Sequence, residues 1–131
     1  MNFKDRLTIS KELFNESLKL LYSKGKAYAS DSDSLANFKR NAERLSLTKY
    51  QIWGVYFNKH IDAINNAIGR SPTRPVDESE GLRGRILDAI TCLFILQCLL
   101  TEDALTPHFD HTKISKLLKD MSVKNRHCIK G

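Results

Sequence analysis

The residues with the most chemical promise lie in the run SEGLRGRILDAI, residues 79–90. Glu80, Gly84 and Asp88 recur every four residues and share one face of a helix. Two turns separate the carboxylates, about 12 Å by helix rise, so they cannot grip one ion from this helix alone. Arg85 stands three residues from Asp88, within reach of an intrahelical pair. Gly84 leaves a notch where a ligand or another backbone can approach. Two readings follow. In one, Glu80 complements the helix N-terminus and Asp88 pairs with Arg85 or with Lys59. In the other, the charges wall a polar pocket at one end of a bundle, where Asp88 holds a metal or orients a base.

A second group follows in the run YFNKHIDAIN, residues 56–65, where Lys59, His60 and Asp62 stand beside an apolar stripe. His60 lies four residues after Tyr56, so both can face one groove. It reads as a packed core histidine or as a ligand-binding group. Lys59 and Asp62 read as a surface pair, or as partners for the charges of residues 80–88. Glu12 and Glu16, four apart, suit a shared divalent cation or a solvated face flanked by Lys11 and Lys19. The segment KGKAYASDSDSLANFKRNAE offers Tyr28 or Phe38 to stack a base, Asn37 beside them, and Lys39 and Arg40 for phosphates. Phe38 also fits an apolar core stripe. There is no glycine-rich phosphate loop, no GxSxG and no HExxH, and no nucleophilic triad stands out.

Helices must carry these residues. Ile9, Leu13, Phe14, Leu18, Leu21 and Tyr22 recur at helical spacing, which predicts a first helix from Thr8 or Ser10 to Ser23, ended by Gly25. A polar loop follows. Ser34 is the expected cap of a second helix with Leu35, Phe38, Ala42 and Leu45 on its apolar side. Thr48 and Gln51 form a capping box for a third, in which Ile52, Trp53, Tyr56, Phe57, Ile61, Ile64 and Ile68 keep a 3.6-residue period up to Gly69. Pro72 and Pro75 mark a loop. Asp77 with Glu80, or Ser79 alone, should cap the fourth helix, which runs to Thr101 and is apolar nearly all round from Ala89 to Leu100. A helix of that kind belongs in a core, and this run is shorter than the ~20 residues that span a bilayer. Pro107 ends it. Ile114, Leu117, Leu118 and Met121 suggest a short last helix. No segment alternates as a strand does. The expected fold is all-α: a four-helix-bundle-like single domain over residues 1–108, then a short helix and basic tail over residues 109–131.

The net charge of +6 invites a nucleic-acid reading, but its distribution narrows it. Residues 1–110 carry fifteen Lys/Arg against fourteen Asp/Glu, whereas residues 111–131 carry six against Asp120 alone. The basicity belongs to the tail, as a solvated end or as a contact for nucleic acid or another partner. Cys92 and Cys98 point to different sides of one helix and cannot bridge each other. With Cys128 they read as small hydrophobes in a reducing cytosol. The N-terminus MNFKDRLTIS lacks a signal-peptide core, which points to the cytoplasm and away from membranes.

Four blocks taken together carry a family resemblance: KGKAYAS, LANFKRNA, WGVYFNKHIDAI and SEGLRGRILDAI, in that order between Lys24 and Asp103. They resemble the phage and prophage proteins known as nucleotide-modification-associated domains of the first type. These are distantly similar to all-α nucleoside triphosphate pyrophosphohydrolases, which use magnesium and clustered carboxylates. The resemblance implies a role for Tyr28, Asn37 and Phe38 in the first blocks, for Lys59 and Asp62 in the third, and for Glu80 and Asp88 as acidic, magnesium-binding positions in the last. The chain departs from the family at Ala27 and Gly84, where many relatives carry acids. Fewer clustered acids weaken metal binding and leave nucleotide binding standing. The leading expectation is therefore a phage-type homo-oligomer in the host cytoplasm that binds a phosphorylated nucleotide, for example to sequester a host defence signal. Its alternatives are a Mg2+-dependent pyrophosphohydrolase and an interaction factor acting through the tail.

Overall fold

The computed structural model describes residues 1–28, 33–77 and 81–105, and positions 112, 115, 116, 119 and 120. Four helices run in the order α1 (Phe3–Tyr28), α2 (Ala36–Leu45), α3 (Lys49–Arg70) and α4 (Leu82–Leu105), with no strand among the described residues. The fold is all-α and consistent with a helical bundle. The chain divides into two compact units, Met1–Leu99 and Leu100–Gly131. In the second, the end of α4 is helical, as are the described positions 112, 115, 116, 119 and 120. The expected apolar residues of a last helix, Ile114, Leu117, Leu118 and Met121, lie outside the described residues, as does Pro107.

Local chemistry explains where the helices begin and end. α1 starts earlier than its apolar period suggests, because the Asn2 side chain accepts from the Asp5 amide at 2.8 Å and caps the first turn. The hydroxyls of Thr8 and Ser10, expected at the helix start, instead donate back to the carbonyls of Lys4 and Arg6 one turn earlier. Gly25 does not stop α1, which continues to Tyr28. At α2 the helical entry is made by Asp33 rather than Ser34: its Oδ1 accepts from the Leu35 amide at 3.0 Å, and its carbonyl accepts from Ala36. α2 closes on Ser46, whose backbone is left-handed (φ 52°, ψ 42°), with the Leu47 amide donating to Ala42 O. That is a Schellman closure with serine where glycine is usual. α3 opens on the expected capping box. Gln51 N donates to Thr48 Oγ1 at 3.1 Å, and Thr48 N donates to Gln51 Oε1 at 2.9 Å. α4 is entered through Gly81 at φ +76°, whose amide donates to the Asp77 carbonyl; a side chain there would be strained.

The first unit buries Leu35, Phe38, Ile52, Ala67, Ala89, Cys92 and Leu99. α2 packs on α3 as a helical hairpin, with Phe38 edge-on to Tyr56 at 5.8 Å. α3 meets α4 through polar tips on aromatic bodies: Trp53 Nε1 donates to Cys92 O, and the Tyr50 hydroxyl donates to Leu99 O. Phe14 of α1 packs edge-on against Phe94 of α4 at 5.6 Å. By length and composition, Leu82–Ala104 is long and apolar enough to cross a membrane, because the helix extends past both ends of the apolar run. Its first half nevertheless carries ion pairs to the rest of the first unit.

Candidate functional site

Three helices of the first unit bring their polar side chains together around Asp88. α4 supplies Asp88 and Arg85, α3 supplies His60, and α1 supplies Lys24. Lys24 Nζ donates to Asp88 Oδ1 at 2.7 Å. His60 Nδ1 lies 3.6 Å from Asp88 Oδ2 on the other side of the carboxylate. Asp88 and His60 are 13% and 12% exposed, so the carboxylate and the imidazole meet at the edge of the core. One turn earlier Arg85 Nε donates to Asp77 Oδ2 at 2.9 Å, in a pair that is 11% and 7% exposed. Burial makes this the most closely held ion pair in the group, since a buried charge without a partner is costly.

The electrostatics of His60 follow from its neighbours. Burial lowers its pKa below the usual histidine value; Asp88 opposes this, and the cations Lys59, Arg85 and Lys24 reinforce it. The imidazole is thus neutral at neutral pH. Its Nδ1 is buried and has no hydrogen-bond partner among the described residues. The Cys92 thiol, one turn along α4 from Asp88, is pushed up, first by burial and then by the Asp88 charge. It is a packed hydrophobe and a poor nucleophile.

The sequence-derived candidates distribute unevenly. His60, Arg85 and Asp88 come together. Asp88 pairs with neither Arg85 nor Lys59, contrary to the simpler sequence reading: Arg85 turns to Asp77, and Lys24 takes the carboxylate. Lys59 and Asp62 are exposed on α3. Phe38 is 6% exposed and packs on Tyr56, so its ring face is not open to a base in this state. Asn37 is half-buried on α2 and Arg40 exposed. Lys39 Nζ donates to Asp33 Oδ2 at 2.9 Å, which holds the Asp33 carboxyl below the usual carboxylate range. Tyr28 closes α1, but its side chain, like Glu80, lies outside the described residues. Glu16 bonds Arg83 at 2.8 Å, and Glu12 is exposed.

Among the described residues no three His, Cys, Asp or Glu side chains gather so as to hold a metal ion. The donors at Asp88 are one carboxylate and one imidazole facing the Lys24 ammonium, with Arg85 and Lys59 nearby. Such cations oppose a divalent ion, so this part of the cluster does not by itself fit magnesium. It suits an anion better.

Sequence reasoning overlooked Lys24 and the Asp77 side chain. Lys24 was legible: Leu13, Ser17, Leu20 and Lys24 follow at intervals of four, three and four, on the face where Ser17 is fully buried. The glycine after Lys24 concealed this by suggesting a helix end. No family model, no curated protein and no solved structure matches the chain.

Proposed function

We propose that the cluster around Asp88 binds the phosphates of a nucleotide. One observation carries the reading. Lys24, Lys59 and Arg85 all act on the imidazole of His60, against the carboxylates of Asp88 and Asp77. The cluster has more cations than anions, beside a buried imidazole nitrogen that can donate or accept as its tautomer requires. An incoming phosphate would take the Lys24 ammonium from Asp88 and leave the carboxylate to His60. Facing both the carboxylate and the phosphate, the imidazole would take up a proton, with Nδ1–H donating to Asp88 and Nε2–H donating to a phosphate oxygen. The family resemblance supports a nucleotide over a simple anion. Sequestration of a nucleotide in a phage-infected cytoplasm is the biological form this would take.

The test is calorimetry against linear nucleoside di- and triphosphates and cyclic nucleotides, with Lys24→Met as the control. Binding weakened tenfold or more in that variant is expected. No heat from any nucleotide at millimolar concentration refutes the proposal.

A second reading rests on the His60–Asp88 pairing, in which a neutral imidazole oriented by a carboxylate could draw a proton from water. It makes the protein a nucleotide pyrophosphohydrolase, with Asp88 supplying one ligand to Mg2+ once Lys24 is displaced and the substrate phosphates or carboxylates of another helix supplying the others. It predicts magnesium-dependent pyrophosphate release that falls at least a hundredfold in Asp88→Asn. Unchanged release in that variant rejects it.

A further inference from the structure

Phosphates at Asp88 leave open where the base of a nucleotide would lie. Phe38, a ring expected to stack a base, is buried. Trp53 and Phe57 stack on each other at 4.8 Å, and Trp53 Nε1 donates to Cys92 O. Tyr56 differs from these. It is 41% exposed, yet two groups of α2 hold it. Phe38 meets its ring at 81° with the centroids 5.8 Å apart. Asn41, three residues further along α2, donates from Nδ2 to its hydroxyl at 3.3 Å. A ring steadied at its body and at its tip, but left in solvent, loses little freedom when a ligand stacks on it.

The helix puts this ring beside the phosphate site. Four residues turn α3 by about 400°, so Tyr56 and His60 leave it within ~40° of each other and ~6 Å apart along its axis. His60 Nδ1 in turn lies 3.6 Å from the Asp88 carboxylate. A ribose with its phosphate ester spans a gap of that size. Asn41 adds a polar edge. Its carboxamide has two N–H donors and an acceptor oxygen. Tyr56 takes one N–H, and among the described residues the other N–H and Oδ1 have no partner. A donor and an acceptor in one amide plane match the edge of adenine, which offers an amino group beside a ring nitrogen.

We propose, on the reading of the Asp88 cluster as a phosphate site, that Tyr56 and Asn41 form its base-binding half. The Tyr56 ring stacks on the base of an adenine nucleotide, and the Asn41 carboxamide pairs with its edge. Phe38 supports the stacking ring instead of being that ring.

Calorimetry of the full chain with ADP and with inorganic pyrophosphate tests this. The native chain should bind ADP at least ~tenfold more tightly, since stacking a base on an aromatic ring contributes a factor of that order. Tyr56→Leu should bring the ratio of the two dissociation constants to within about twofold of one, whereas Tyr56→Phe, which keeps the ring, should retain most of it. The ratio is taken within one variant, so a general loss of folded protein does not move it. Where Tyr56→Leu does not fold, Asn41→Leu decides, and should lower the ratio about threefold through loss of the edge contacts. Pyrophosphate bound by the native chain as tightly as ADP overturns the base-binding assignment alone. So does an undiminished ratio in folded Tyr56→Leu or, in its place, Asn41→Leu. No heat from either ligand at millimolar concentration overturns the phosphate reading and the base-binding half with it.

Discussion

Replacing Asp77 by Asn should destabilise the first unit far more than a surface substitution does. Asp77 and Arg85 are eight residues apart, 7% and 11% exposed, and joined by an Nε–Oδ2 bond of 2.9 Å. Removing one charge from a buried pair costs about 3–5 kcal/mol, because the other charge keeps its desolvation penalty and loses its answer. The amide oxygen of asparagine can still accept from Nε. A charge-assisted bond then becomes an ordinary one, which places the loss at the low end, about 2–3 kcal/mol. Urea titration followed by circular dichroism measures it. With an m-value of ~1.5 kcal/mol/M for a domain of this size, the midpoint should fall by roughly 1.3–2 M. The double variant Asp77→Asn, Arg85→Met should recover part of that loss, since replacing a buried pair with apolar groups is often neutral. A midpoint shift under ~0.3 M for Asp77→Asn would refute the reasoning and show that Arg85 is answered mainly by groups other than the Asp77 carboxylate.

Three further outcomes follow from single features. Ser46→Gly should raise stability by about 0.5–1 kcal/mol in the same urea titration, because the left-handed C-cap at φ 52° suits glycine. Thr48→Ala should lower it by about 1 kcal/mol, through loss of the hydroxyl half of the capping box. His60 is lowered in the folded state, mainly by burial, so the unfolded chain binds its proton first. His60 therefore lowers stability as pH falls below ~6.5, the unfolded value, and its effect levels off below the folded one. His60→Gln should flatten the urea midpoint between pH 7.5 and 5; an unchanged slope would contradict the burial of the imidazole.

Elements whose signals are local were legible in the sequence. The α3 capping box needs only Thr48 and Gln51 three residues apart, and the apolar period that follows is long enough to leave no choice of structure. The all-α class follows in the same way from segment after segment of 3.6-residue spacing. Boundaries set by a single side chain escaped. Asn2 and Asp33 open α1 and α2, yet neither stands beside a stronger apolar signal, and Gly25 looks like a stop but costs an exposed helix only ~1 kcal/mol.

The candidate site divides along the same line. Sequence marked Asp88, His60 and Arg85 as charged or titratable groups on otherwise apolar helices, since burial of such groups demands an answer. It could not say which groups answer them. Lys24 reaches Asp88 from 64 residues away, and Arg85 prefers Asp77 to the nearer Asp88. Pairing of that kind depends on how three helices cross and on which side of α4 faces inward, and side-chain spacing along one helix carries neither. Residues 79–90 by themselves established that α4 carries charges into a core. Tertiary structure alone decided that those charges face a lysine, a histidine and an aspartate, because long-range ion pairs form only where packing has already brought the helices together.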